Sequence, residues 1–479
     1  MAFSIRSPDD GVSLDALPGD MILRRVSWDD HGHRLLFHLS RHGEDGRERE
    51  IGLLKILNTK APRAELNASF ERLDDHWCSM GQGPAFYDSL DAQEDARELL
   101  LALRDLTVLG DAEREALASN ADVQKTLLRT SSARFAYERE TRPLASDIQF
   151  RISLQVKGFA ERHEVHFHFS RERALGRMVV LVGENGTGKS QLLNGLIYPT
   201  LGIYDPKLAD IDVVPAISRV IFLSFGAFDR GRIPRSVGRY SVISYDYCGL
   251  RHYANSMRGE AIVDMQFALR RLSEAHDALT ERRRGDLWRR CVSEHGMRPP
   301  ERGYLEAWVE ERSAGQKFIC FVLTHLLAKL EPGALVVFDE PETHTHPKML
   351  SLLMRQLDEM LEDHDAFAIV ATHSPIVLQE LPARQVRVLR TEGEGRSLPL
   401  VLDYPRECFA EALDEIVKVG FGLDLEDTNY MRRLREMVRE NPEGIEELLA
   451  QGGLSARLAL ALARKRERQQ EERGGEGDA

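Results

Sequence analysis

The chain has 479 residues, 64 Lys+Arg against 77 Asp+Glu, and a formal net charge of −13. At about 150 residues per domain it has room for roughly three units and for a core that needs no covalent staple. The acidic balance speaks against a protein that coats nucleic acid wholesale, although it leaves a local basic groove open.

The cysteines, Cys78, Cys248, Cys291, Cys320 and Cys408, are odd in number and form no C-x-x-C pair. That excludes a disulfide framework and the usual zinc spacings, and suits a reducing compartment. There is no apolar run of about 18 residues. Met1 to Asp10 lacks a basic-then-apolar start. The expectation is a soluble cytoplasmic protein without a membrane partner.

Residues 1–145 read as an accessory α+β domain. Arg34–Ser40 and Glu50–Ile56 alternate apolar and polar residues around the polar Gly43–Gly46, the pattern of a β-hairpin. Leu99, Leu100, Leu103 and Leu106 recur at helical spacing within Gln93–Leu106, with Asp91 placed as the N-cap. Over 146–404, strands alternate with helices. Phe150–Val156 and Glu164–Phe169 form an alternating pair. Met178–Val182, Ala334–Phe338 and Phe367–Val370 are unbroken apolar runs, as strands covered on both faces require. Leu350, Leu353, Leu357 and Leu361 stripe Pro347–Asp363 as an amphipathic crossover helix. The pattern predicts an α/β fold with a mainly parallel sheet. After Pro405 the chain reads as helical over 407–418, 428–440 and 444–470. This gives a helical region over 405–463 and a mixed-charge tail over 464–479.

Four segments carry chemistry. Gly183, Glu184, Asn185, Gly186, Thr187, Gly188, Lys189 and Ser190 fit a P-loop between an apolar strand and the helix opening at Gln191. The glycines let successive N–H groups turn toward phosphate oxygens, and the helix adds its positive end. Lys189 is placed for the β- and γ-phosphates of ATP, and the Ser190 hydroxyl for Mg²⁺. Asp339 and Glu340 end a buried strand, Asp339 placed to hold Mg²⁺ and Glu340 to take a proton from the attacking water. Ser313, Gly315 and Gln316 open an apolar helix over Phe318–Leu330, where hydroxyl and N–H groups can grip phosphate. His373 follows the strand that ends at Val370 and is placed near the γ-phosphate.

The order P-loop, Ser313-x-Gly315-Gln316, Asp339-Glu340, His373 resembles the ABC-type ATPases, particularly their RecF/SMC/OLD-like branch. Glu340-Pro341-Glu342, followed by His346-Pro347, is similar to the DEPE-x-x-x-HP stretch of that branch. Ala371-Thr372-His373-Ser374-Pro375 is similar to its switch-histidine motif. The resemblance covers residues 148–400. It implies an ABC-type head with a helical lobe that dimerises with ATP sandwiched between subunits. Lys189, Ser190, Asp339 and Glu340 would then act in cis and Ser313 and Gly315 in trans. The family's Q-loop glutamine has no counterpart in Phe222–Phe228.

Met265 to about Arg290 reads as one helix of about 38 Å, too short for a coiled-coil arm. The largely helical remainder after His373 is too short for the nuclease domain that OLD proteins carry there. Asp210 and Asp212 read as loop residues, and His344 and His346 as structural or nucleotide-edge residues. Arg270, Arg271, Arg282, Arg283, Arg284, Arg289 and Arg290 form a basic cluster interleaved with acids, the best candidate for DNA or RNA contact. Phe70–Leu73, Cys78–Gln82, Phe86-Tyr87, Phe409–Ile416 and Val419–Leu423 are similar to stretches of the PtuA-like ATPases of Septu and some retron anti-phage systems. That resemblance implies self-assembly and a separate HNH nuclease subunit. The leading expectation is a switch ATPase regulating such a nuclease. The alternative is a RecF/SMC-like repair or recombination ATPase that binds DNA itself. A solute-transporter ATPase fits less well, given the DEPE form and the long N-terminal domain.

Overall fold

The computed structural model describes residues 2–7, 19–26, 36–43, 48–62, 64–91, 93, 95–142, 147–201, 207–213, 215–226, 245–253, 261–281, 284–300, 305–392, 398–422, 429–440 and 461. The chain divides into two compact units, residues 1–409 and 410–479.

The first unit opens with a six-stranded sheet in the order Ser69–Phe70, Phe3–Arg6, Met21–Arg25, Leu36–His42, Glu48–Asn58, Trp77–Gly81. The expected hairpin is its antiparallel pair 36–42 and 48–58, with an irregularity between Leu39 and Ser40. Short helices cover one apolar cluster that includes Phe37, Leu54, Phe86, Leu99, Leu103 and Leu106. The helix expected over 93–106 is shorter. Asp91 ends the preceding helix, Pro84–Asp91, and the next one runs only over Ala96–Ala102. Arg104 turns left-handed at φ 47°, and Asp105 leaves the helical path. The Asp105 carboxylate accepts bonds from the Gly81 N–H, the Tyr87 hydroxyl and Thr107. A fully buried acid that finds these donors outweighs one more helical turn. Burial pushes its pKa up to about 6.

Two further sheets follow. One is antiparallel, in the order Ala209–Ile211, Asp147–Leu154, His163–Ser170. The larger runs Tyr245–Gly249, Val220–Ser224, Leu335–Asp339, Phe367–Ala371, Met178–Gly183, Val386–Glu392, Leu398–Asp403. All its strands are parallel except the last, which pairs antiparallel. The helix Lys189–Thr200 joins both sheets in one core through Leu192, Leu193, Leu196 and Ile197. All five residues of Leu335–Asp339 are buried, as its unbroken apolar run requires. Each of its four apolar side chains, Leu335 to Phe338, withdrawn from water contributes about 1.5–3 kcal/mol.

The single helix expected from Met265 to about Arg290 is two, Met265–Glu281 and Gly285–Glu294. At the break the Arg284 guanidinium donates to the Leu327 and Leu330 carbonyls, both at 2.7 Å. It thereby satisfies the C-terminal end of the helix Ala314–Lys329.

The second unit contains helices Leu413–Phe421 and Asn429–Glu440. The helix expected over 407–418 thus begins later, because Glu407 lies in an irregular stretch where its carboxylate accepts from the Ala383, Cys408 and Phe409 N–H groups. The helix expected over 444–470 lies outside the described residues, apart from 461. Among the described residues no helix is long and apolar enough to cross a membrane.

Gly333, just before the 335–339 strand, has φ +75°, and a Cβ there would lie 2.4 Å from the fully buried Phe135 ring. Phe135 belongs to the helix Ser131–Thr141, so this contact fastens the N-terminal part to the large sheet. Gly333→Ala is expected to cost about 1–3 kcal/mol, read as a lowered urea midpoint; an unchanged midpoint would remove this contact from the fold's determinants.

Candidate active site

The strand Met178–Gly183 delivers the chain to its loop through Gly183 at φ +150°. A Cβ at Gly183 would sit 2.1 Å from the Leu389 carbonyl oxygen, so no other residue fits. Gly186 and Gly188 are also left-handed, at φ 84° and 91°, which curls the backbone into a concave row of N–H groups. Glu184, Asn185, Gly186 and Gln191 are exposed, and Thr187 is buried. His163 Nε2 lies 3.1 Å from the Thr187 carbonyl and supports the loop from behind.

Lys189 starts the helix and is 6% exposed. Its Nζ donates to the Gly183 and Glu184 carbonyls at 2.8 and 2.9 Å. Burial lowers its pKa to about 8, against the opposing pull of Glu340, Asp339, Glu342 and Glu184.

Strand order sets the rest. Phe367–Ala371 lies between the P-loop strand and Leu335–Asp339, with Ala371 level with Asp339 on one side and Leu181 on the other. The ends of three strands therefore meet at one edge, the usual ligand edge of a parallel sheet. Ser190 Oγ donates to Asp339 Oδ1 at 3.1 Å. Glu340 is left-handed at φ +51°, and its N–H donates to the Ala371 carbonyl at 2.9 Å. His344 is left-handed as well, at φ +63°. Conformations of this kind cost of order 1–3 kcal/mol each and persist only where surrounding bonds hold them. Burial, with Lys189 nearby, pushes the His373 pKa down to about 4, so its ring is neutral.

One residue of this edge was not foreseen. Glu342 accepts from Thr372 Oγ1 at 2.7 Å and from the His373 N–H at 2.5 Å. The acid at the third place of Glu340-Pro341-Glu342 was the available signal, but nothing in the local pattern names partners so far along the chain.

Ser313 caps the helix Ala314–Lys329, its Oγ accepting from the Gln316 N–H while Gln316 Oε1 accepts from the Ser313 N–H. This is a capping box. Ser313 is exposed. A Cβ on Gly315 would come 2.7 Å from the His344 carbonyl oxygen, so this helix start fits closely against the loop after Glu340. The structure thus gathers Lys189, Ser190, Asp339, Glu340 and His373 at one edge, with Ser313, Gly315 and Gln316 on a different helix start. Phe225, after the neighbouring strand Val220–Ser224, packs its ring on Phe318 and Phe321 of that helix. Ala227 and Phe228 of the expected coupling loop lie outside the described residues.

Asp212 accepts from the Arg151 and Val213 N–H groups, both at 2.7 Å, a loop role as expected, whereas Asp210 is not in a loop but in the strand Ala209–Ile211, opposite Ser153. His346 Nδ1 caps the helix Pro347–Asp363. Within the basic cluster, Arg271 pairs with Glu274, Arg289 pairs with Asp286, and Arg284 is the helix clamp described above. Arg282 and Arg283 lie outside the described residues. Reversing Arg284 would therefore disturb the fold, which a clean test of nucleic-acid contact must avoid.

A loop curled by glycines, carboxylates at the end of a second strand and a histidine just after the strand between them have the arrangement of a P-loop nucleotide site. Residues 252–379 match the family described as "AAA domain, putative AbiEii toxin, Type IV TA system". Protein ea59 of Escherichia phage lambda is 25% identical over 490 residues, spanning 87% of this chain and 89% of that protein. Among solved structures, the SMC head domain from Thermotoga maritima is 13% identical, covers 54% of this chain and 99% of its own, and has a TM-score of 0.28. UvrA2 from Deinococcus radiodurans is 17% identical, covers 62% and 41%, and has a TM-score of 0.31.

Bound triphosphate adds negative charge beside Lys189 and must raise its pKa above the value of about 8 it has here. Lys189 then contributes fully below about pH 8, and its contribution fades as pH rises through the bound-state value. Calorimetry in buffers of different ionisation enthalpy should therefore show proton uptake on ATP binding near pH 8.5, absent in Lys189→Met. Equal uptake in both proteins would refute the assignment.

Proposed function

We propose that this chain hydrolyses ATP and uses the nucleotide to close and open a dimer. The observation that carries the reading is the convergence of Lys189, Ser190, Asp339 and His373 on one sheet edge, with Glu340 turning out of the same strand end. The backbone N–H groups of 183–188 and Lys189 hold the β- and γ-phosphates. Ser190 and Asp339 supply a hydroxyl and a carboxylate, hard oxygen donors within 3.1 Å of each other that suit Mg²⁺. When bound, Mg²⁺ neutralises charge on the phosphate oxygens. Glu340 accepts the proton of the attacking water as its oxygen bonds the γ-phosphorus and the bond to the β-phosphate oxygen breaks. The neutral His373 orients that water and the γ-phosphate. The exposed Ser313 and its helix start reach the phosphates of a second copy, where Ser313, Gly315 and Gln316 complete the site.

The accessory parts pass the nucleotide state to a partner. We place that partner in conflict between phage and host, as a separate nuclease of HNH type. The toxin–antitoxin wording of the matched family and the phage origin of a relative sharing most of the chain's length support that setting.

Glu340→Gln is expected to slow turnover about 10²–10³-fold and to accumulate an ATP-bound dimer by mass measurement. Normal turnover would remove Glu340 from the reaction. Action in trans is tested by mixing two inactive variants, Lys189→Ala and Ser313→Arg. Activity should reappear in the mixture, because one composite site is then intact, and a silent mixture contradicts the sandwich. A pull-down from native cells should recover a nuclease. If instead the purified chain alone is stimulated by DNA, the repair-type reading replaces the nuclease partner.

A further inference from the structure

We propose that Glu342 is a positioning residue for hydrolysis, whose carboxylate fixes the 372–374 loop and so sets where His373 stands. The inference rests on the ATPase reading and deepens it.

The loop after Asp339 leaves the sheet through left-handed Glu340 and turns left-handed again at His344. Between these turns it directs one side chain, the partly buried Glu342, toward the end of the neighbouring strand. Its two oxygens take two donors: Oε2 the hydroxyl of Thr372 at 2.7 Å and Oε1 the His373 N–H at 2.5 Å. Thr372 is fully buried, and its Oγ1 accepts from the Ser374 N–H at 2.9 Å. The Thr372 N–H donates to the Leu181 carbonyl on the P-loop strand at 3.1 Å. Three consecutive residues are thus tied down, two by Glu342 directly and one through Thr372.

Bonds to an ionised acceptor are short and strong, and a connected set reinforces itself. With its backbone held at the root, the His373 ring keeps only its own side-chain torsions. The same carboxylate also joins the loop carrying Glu340 to the loop carrying His373. One group therefore sets the spacing between the two residues assigned to the water and the γ-phosphate. A carboxylate suits this place best because both partners donate. Glutamine keeps one acceptor and can offer its amide to Thr372 Oγ1, so it preserves part of the arrangement. Alanine preserves none.

The test uses full-length wild type, Glu342→Ala, Glu342→Gln, His373→Ala and the double variant Glu342→Ala/His373→Ala. Each is measured for thermal unfolding, ATP affinity and kcat. Glu342→Ala should lose about 10–100-fold in kcat, the scale of a misplaced reacting group, with ATP affinity within about twofold of wild type. Glu342→Gln should recover much of that loss. The double variant should be no slower than His373→Ala alone, since a positioning residue has no effect without the group it positions. Wild-type kcat in Glu342→Ala would overturn the proposal. So would losses that multiply in the double variant, or affinity falling in step with kcat. If Glu342→Ala does not fold, Thr372→Val removes the hydroxyl that donates to Glu342 and accepts from the Ser374 N–H, and should lower kcat at least about threefold at constant affinity; unchanged kcat there overturns it. A wild-type protein that binds ATP but never hydrolyses it would instead refute the ATPase reading itself.

Discussion

The whole site depends on the parallel pairing of Phe367–Ala371 with a neighbour on each side. The P-loop strand lies on one flank and the strand ending in Asp339 on the other. That single inserted strand fixes the spacing across the edge. Ser190, on the helix Lys189–Thr200 that follows the P-loop, reaches Asp339 at 3.1 Å, and Thr372 and His373 emerge between them. Shifting the register by one residue would turn every side chain of the inserted strand to the opposite face. Both faces are buried, so such a slip would exchange side chains of unequal size, such as Phe367 and Ala368, between two packed layers. Packing in the sheet and chemistry at its edge are therefore one constraint.

Electrostatics at the edge follows from the same geometry. Lys189 is buried beside carboxylates and bonded to the carbonyls of its own loop, so its cationic head is held in place by the protein. His373 is kept neutral by burial and by that cation. Under the proposed function, a cation at the phosphate position and a neutral ring at the water position would divide the work of phosphoryl transfer, which relies on positioning and charge stabilisation.

Much of this was legible in the amino-acid order, because it rests on local signals. Continuous apolar runs marked the central strands, and Gly183, Gly186 and Gly188 marked a loop only glycine can build. The crossover helix has the bounds its leucine stripe predicts, Pro347–Asp363. What escaped rests on partners distant in sequence. Asp105 breaks a promising helix because its donors come from Gly81 and Tyr87. Arg284 breaks another and clamps carbonyls on the helix of Ser313. Read as part of a basic cluster, it looked like a nucleic-acid contact. Glu342 stood in plain view beside Glu340, yet its role depends on Thr372 and His373. Periodicity reports which face of an element is buried, not which distant donor a buried acid will meet.

The central claim is that a triphosphate held by 183–190 is closed over by the Ser313 region of a second copy. The most direct measurement is a structure of the protein with a non-hydrolysable ATP analogue. The account requires the γ-phosphate within hydrogen-bonding distance of Lys189 Nζ on one copy and of the Ser313 helix start on the other. A nucleotide seated elsewhere, or gripped by one copy with no partner facing it, would contradict it.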